Sequence, residues 1–118
     1  MSGSQFINHK GKNIFLMEYP GEIDQLKKMI GEAKKTIATQ SPQSVLALSD
    51  LRQVDLTNET TEIFKDFTNH NKPYIKASAL VGISGMKKII VNTISTLYRR
   101  NFKIFDTVDE AKNYLALV

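Results

Sequence analysis

Apolar residues recur along the chain with two spacings, which predict strands and helices in turn. The apolar runs at 6–7 and 14–17 flank a polar segment, 10–13, and predict a hairpin with a glycine in its turn. Between Ile23 and Ile37, apolar residues recur every three or four positions, as on one face of a helix. Residues 45–48 form a short apolar run, which predicts a buried strand before the next helical pattern.

The second half of the chain continues the alternation. Residues 74–81 predict another strand, and two glycines mark the turn that follows it. An apolar helical pattern begins at Met86, a short strand follows at 102–104, and Thr107 starts a capping box for the last helix. The order ββαβαβαβα predicts a single α/β domain over residues 1–118, with a mostly parallel sheet and helices packed on it.

The first candidate site is the turn that follows the predicted strand at 45–48. It carries two hydroxyls and two carboxylates, at Ser49, Asp50, Asp55 and Thr57. Function in α/β folds concentrates where parallel strands end, so this turn lies at the favoured edge of the sheet. Its hydroxyls can accept phosphate, and its carboxylates can bind a metal or contact a kinase. The structural alternative is that Thr57 caps the next helix, with Asp55 near the positive end of that helix.

The second candidate site is the turn and helix start at residues 82–88. It contains Gly82, Ser84, Gly85 and Lys87. A strand, a glycine turn and a helix N-terminus can present backbone N–H groups to an anion, and the lysines add attraction. The lysine-plus-hydroxyl ending of a phosphate-binding loop is missing. A tight turn between strand and helix accounts for the glycines equally well, so both interpretations stay open.

The helix after this turn is apolar around much of its circumference. Its apolar residues are Met86, Ile89, Ile90, Val91, Ile94, Leu97 and Tyr98. A helix that buries one stripe against a sheet does not need all of them. The surplus can line a small apolar pocket, with Met86, Ile90 and Ile94 as candidate contacts, or form a homodimer contact. A helix buried on two sides is the structural alternative.

Composition narrows the chemistry that the chain can support. No cysteine is present, which excludes disulfides, thiolate metal sites and cysteine nucleophiles and fits the cytoplasm. His9 and His70 are far apart, without acids at metal-ligand spacing, so no metal site, cofactor or catalytic residue is predicted. No apolar run is long enough for a membrane span, and residues 1–5 lack the pattern of a signal peptide. We therefore expect a non-enzymatic cytoplasmic domain.

Charge is distributed unevenly along the chain. The net charge is +4, and residues 71–105 contain seven basic residues and no acid. The basic residues are Lys72, Lys76, Lys87, Lys88, Arg99, Arg100 and Lys103. Such a stretch can attract nucleic acid, anionic lipid or an acidic partner. No aromatic-rich or arginine-rich binding motif accompanies it, which favours a solvated basic face and no nucleic-acid partner.

Three segments together resemble the SpoIIAA-like branch of the STAS family. They are VLALSDLRQVDLT, NKPYIKASALVGISGMKKIIVN and FKIFDTVDEAKNYL, and the similarity extends over nearly the whole chain. That branch is related in fold to anti-sigma-factor antagonists and to lipid-carrying CRAL-TRIO domains. The resemblance implies a STAS-like domain with a non-enzymatic regulatory or ligand-sensing role in bacterial signalling.

The antagonist pattern places a phosphorylated serine directly after the aspartate of the turn. In this chain Asp55 is followed by Leu56, which cannot be phosphorylated, and the next hydroxyl is Thr57. Asn58 stands where a glycine usually follows. The leading hypothesis is therefore a module that binds a protein partner or a small apolar, lipid-like ligand. A phosphoswitch that uses Thr57, and a small enzyme acting on an anionic substrate at residues 82–88, are the alternatives.

Overall fold

A five-stranded sheet lies at the centre of the computed structural model, which describes residues 2–118. The strands are β1 (Gly3–His9), β2 (Lys12–Glu18), β3 (Val45–Asp50), β4 (Ile75–Val81) and β5 (Phe102–Phe105). The helices are α1 (Ile23–Ile37), α2 (Asn58–Asn71), α3 (Met86–Tyr98) and α4 (Val108–Ala116). The strands lie side by side in chain order, with β1 antiparallel to β2 and all later pairs parallel. The predicted ββαβαβαβα architecture is confirmed.

The N-terminal hairpin closes through a two-residue turn. His9 pairs with Lys12, so the loop consists of Lys10 and Gly11. Both have positive φ, 52° and 82°, as a type I′ turn requires, and the glycine adopts this conformation without a Cβ clash. The turn fixes the register in which β1 pairs with β2, and the predicted hairpin is confirmed.

The sheet is covered unequally on its two faces. Each of the helices α1, α2 and α3 connects two neighbouring parallel strands, and because such connections have the same hand, all three pack on one face. The helix α4 follows the last strand and packs on the other face, where Ala111 and Leu115 are fully buried. Cover on both faces explains why the central strand β3 is apolar at four consecutive positions.

The larger core lies between the sheet and the helices α1, α2 and α3. The helix α1 contributes a complete apolar stripe, which consists of Leu26, Met29, Ile30, Ala33 and Ile37. The other two helices bury fewer large apolar side chains: Phe64 and Phe67 on α2, and Val91 and Ile94 on α3. A cavity remains beneath α2 and α3, and it is the centre of the candidate site.

Candidate functional site

A cavity of about 70 Å³ lies in the larger core, between the sheet and the helices α2 and α3. Its apolar walls include Met17, Phe64, Phe67, Leu80, Val91 and Ile94. An apolar cavity tends to stay dry, because water there would lose hydrogen bonds. The space therefore suits a small apolar group.

One end of the cavity carries a buried tyrosine. The hydroxyl of Tyr19 lies 3.1 Å from Ser49 Oγ and donates to Met17 Sδ at 3.3 Å. Its ring meets Phe64 edge-on, with ring centroids 5.2 Å apart. Burial raises the pKa of Tyr19, and the hydrogen bond with Ser49 opposes that shift only in part. Tyr19 is therefore a neutral hydrogen-bonding group at the cavity wall.

An arginine forms part of the cavity wall. Arg100 lies in the short connection between α3 and β5, and its guanidinium donates to the Thr68 carbonyl oxygen at 3.1 Å and to Ser78 Oγ at 2.9 Å. Its Cζ lies 5.1 Å from the centroid of the Phe102 ring. Burial lowers the pKa of Arg100 from its ordinary value. A cationic side chain thus borders a largely apolar space.

A second, polar groove lies on the outer side of this arginine. It has a volume of about 200 Å³ and shares Ile75, Ser78 and Arg100 with the cavity. Its basic residues are Lys72, Lys76, Arg99 and Arg100. Four of the seven basic residues of the acid-free stretch therefore meet at one groove, whereas the sequence had favoured a merely solvated face. The pair of adjacent arginines that could have indicated this groove, Arg99 and Arg100, stands shortly before β5 and was not singled out in the sequence.

The residues predicted at 82–88 lie at the opposite end of the sheet, where β4 ends. The Lys87 ammonium donates to the carbonyl oxygens of Leu51 at 3.1 Å and of Gly82 at 3.3 Å. The carbonyl oxygens of Ser84 and Gly85 accept hydrogen bonds from the next turn of backbone. The turn is thus tied to the loop that follows β3, and an anion site here stays a prediction.

The candidate residues of the turn after β3 separate in the structure. Ser49 faces the cavity, whereas Asp50 is buried against Arg52, which donates to it from Nε at 2.9 Å and from Nη2 at 2.6 Å. Burial acts to raise the pKa of Asp50, but the hydrogen bonds and charge of Arg52 outweigh it and hold that pKa below its ordinary value. Thr57 is exposed and caps α2, accepting a hydrogen bond from Thr60 N at 3.2 Å.

The helix α3 is buried on one side and exposed on the other. Val91 and Ile94 are buried and line the cavity, and Ile90 packs against the same core. The exposed fractions of Met86, Ile89 and Leu97 are 71%, 59% and 57%. The alternative of a helix buried on two sides is therefore wrong, because its outer apolar residues face solvent.

Both histidines contact asparagine side chains. His9 Nε2 lies 2.9 Å from Asn113 Oδ1, and His70 Nδ1 lies 2.9 Å from Asn71 Oδ1. Within residues 2–118, no group of three or more metal-binding side chains lies close enough together to hold an ion.

In that same range, the helices lack the length and apolar character that a membrane crossing needs.

The fold is shared with solved structures of low sequence identity. No protein-family model and no curated protein sequence matches the chain. The crystal structure of an uncharacterised protein of the DUF3478 family with a SpoIIAA-like fold, from Shewanella loihica PV-4, matches with a TM-score of 0.76 and 14% identity, over 98% of this chain and 95% of that one. The chain has the SpoIIAA-like fold.

A second solved structure with a similar fold is that of an anti-sigma-factor antagonist (STAS) domain protein from Planctomyces limnophilus. It matches with a TM-score of 0.60 and 17% identity, over 98% of this chain and 99% of that one. The resemblance to the STAS family is thereby confirmed at the level of fold.

Proposed function

We propose that this SpoIIAA-like chain is a non-enzymatic regulatory module of the cytoplasm, which senses a small apolar ligand and acts through a protein partner. The observation that carries this proposal is the apolar cavity beneath α2 and α3. The anti-sigma-factor antagonist (STAS) domain protein with the same fold supports a regulatory role.

The helix α3 links the cavity to the protein surface. Val91 and Ile94 face the cavity, while Met86, Ile89 and Leu97 are exposed on the outer side of the same helix. A ligand shifts a conformational equilibrium only by its difference in affinity for the two states. A ligand that fits one position of α3 better than another therefore changes the surface that a partner contacts.

A thermal-shift measurement with 1-pentanol tests whether the cavity binds an apolar molecule. Binding to the folded state raises the Tm by mass action. Ala47 lines the cavity, so Ala47→Val should fill space and abolish the shift. Ala77 on β4 packs against the smaller core on the opposite face of the sheet, and Ala77→Val should keep the shift of the wild type.

Two results would overturn the cavity as the ligand site. One is an unchanged Tm of the wild type across the concentration range of 1-pentanol. The other is an equal response of Ala47→Val, which would locate binding elsewhere. Native mass spectrometry of gently purified protein adds an independent measurement, because a bare mass without an apolar adduct counts against a natural ligand.

The exposed side of α3 is the proposed contact for the partner. Contiguous exposed apolar side chains are typical of interaction surfaces. A second copy of the chain is the alternative occupant, and sedimentation equilibrium separates the two. If the wild type has the mass of a dimer and Leu97→Ser has the mass of a monomer, the exposed side of α3 is a homodimer contact. A monomeric wild type favours a different protein as the partner.

A phosphoswitch at Thr57 is the second candidate function. Thr57 is exposed at the N-terminus of α2, where the helix dipole favours a phosphate. Incubation with kinase extract followed by peptide mass mapping should place phosphate on Thr57, and its absence there would exclude this mechanism. The enzyme alternative at residues 82–88 has less support, because Lys87 already contacts two carbonyl oxygens.

A further inference from the structure

We infer that the ligand of this cavity is a short apolar carboxylate, with its tail in the cavity and its carboxylate bound by Arg100. Because the proposed function already places an apolar ligand in this cavity, the inference rests on it and adds the ligand's charged end. A ligand of this kind needs a positively charged group at the edge of an apolar space, and the guanidinium of Arg100 is such a group.

Arg100 brings a positive charge to the cavity wall without an acid beside it. No carboxylate within residues 2–118 forms an ion pair with this side chain. The Phe102 ring and the Thr68 carbonyl near the end of α2 stabilise the cation in part. Arg100 is half-buried, and a charge that is partly withdrawn from water is stabilised by a nearby counter-charge. An anionic ligand supplies that counter-charge.

Arg100 and Ser78 together form a donor pair at the wall. Arg100 Nη2 donates to Ser78 Oγ at 2.9 Å, which leaves the serine hydroxyl proton for a ligand oxygen. The guanidinium also carries N–H groups beyond those that contact Thr68 and Ser78. A single guanidinium binds a planar carboxylate at two points. This arrangement favours a carboxylate over a phosphate, whose second charge would lack a partner in the cavity.

The remainder of the ligand must be apolar and short. Away from Arg100, the walls are mostly side chains such as Phe67, Leu80 and Ile94. An engineered apolar cavity of about 150 Å³ is known to hold benzene, whereas this cavity measures about 70 Å³. The tail of the ligand is therefore limited to a few carbons. Pentanoate is a suitable probe, and 1-pentanol is its uncharged counterpart.

The outer groove provides a basic approach to this site. Lys72, Lys76 and Arg99 line the groove on the solvent side of Arg100. The stretch from residue 71 to 105 contains no acid that would oppose them along the chain. Such a field concentrates anions near the groove. A carboxylate is thus drawn to the side of the protein from which Arg100 is reached.

Amide NMR titrations of the wild type, Arg100→Gln and Arg99→Gln with pentanoate and with 1-pentanol test the inference. The wild type should bind pentanoate about tenfold more tightly than 1-pentanol, as expected for hydrogen bonds to a charged group. Arg100→Gln should lose this preference while its affinity for 1-pentanol stays within about twofold. Arg99→Gln removes the same charge from the outer groove alone and should keep most of the preference.

The outcomes separate this inference from the proposed function. Binding of 1-pentanol that equals or exceeds binding of pentanoate overturns the carboxylate and leaves the apolar cavity site intact. Absence of binding by both probes overturns both. Equal losses of the preference for pentanoate in Arg99→Gln and Arg100→Gln also overturn the inference. Such losses indicate a general electrostatic attraction of the anion and not a contact with Arg100. If Arg100→Gln fails to fold, the Nε–H resonance of Arg100 in the wild type decides: it should shift with pentanoate and not with 1-pentanol.

Discussion

Gly82 allows two loops at the C-terminal edge of the sheet to touch. Its φ is +86°, and a Cβ at this position would lie 2.5 Å from the Arg52 amide nitrogen. Gly11 has a similar φ of +82° but open space around its Cβ position. We expect Gly11→Ala to lower the free energy of unfolding by about 1–2 kcal/mol through backbone strain. Gly82→Ala should lower it by about 2–5 kcal/mol, because a clash is added.

Urea unfolding of the two glycine variants measures this difference directly. The two positions are matched in φ, so the excess loss in Gly82→Ala reports the contact with the loop after β3. Equal losses in the two variants would mean that this loop moves away at no cost, and that the glycine is not needed for close approach.

The buried Asp50 makes the stability of the fold depend on acid pH. Its pKa is lowered in the folded state from an ordinary value of 3.8, so its carboxylate stabilises the fold above that value. The stabilisation is lost as the pH falls through the folded pKa. Asp50→Asn should therefore lose less free energy of unfolding between pH 7 and pH 3 than the wild type, as measured by urea titration at both pH values. Equal losses would contradict this role.

Arg52→Gln removes the partner of the same carboxylate and serves as the complementary variant. The Asp50 side chain is 7% exposed, whereas that of Arg52 is 60% exposed. Loss of the arginine removes the side-chain hydrogen bonds and the positive charge beside this buried carboxylate, while the backbone N–H of residue 52 still donates to it, so Arg52→Gln should lower the free energy of unfolding at neutral pH. An unchanged stability at pH 7 would show that solvent replaces the arginine.

Among the elements, α3 is held to the core from one side. Ile94 is buried on that side and Leu97 is exposed on the other. Truncation of a buried isoleucine removes contacts and leaves a void, so Ile94→Ala should cost about 2–5 kcal/mol. Leu97→Ala should change stability by less than about 0.5 kcal/mol. Thermal or urea unfolding checks both, and a large loss in Leu97→Ala would indicate that this face is covered in solution.

The order of elements could be predicted because each element carries a local pattern. The apolar stripe from Ile23 to Ile37 became α1, and the turn at Gly11 closed the hairpin. Thr57 and Thr107 both cap helices, as their positions before apolar patterns indicated. These features depend on residues within a few positions of one another, which a single sequence displays.

The candidate site could be predicted only in parts. Ser49, Ile94 and Arg100 each appeared in the sequence analysis, but their position around one cavity was not predicted. Arg100 contacts residues that are 32 and 22 positions away, on α2 and β4. Tyr19 reaches Ser49 across 30 positions. Such contacts depend on the packing of whole elements, which local periodicity does not encode.

The helices differ in how many residues they bury against the core, and this difference determines which part of the molecule unfolds locally first. Five residues of α1 are buried, against two of α3, and the cavity lies beneath α3. Local opening is easiest where few apolar contacts are lost. Amide hydrogen exchange should therefore be faster in α3 than in α1. Addition of 1-pentanol should slow exchange in α3 and leave it unchanged in α4, which packs on the opposite face. Uniform slowing in both helices would contradict a link between the cavity and α3.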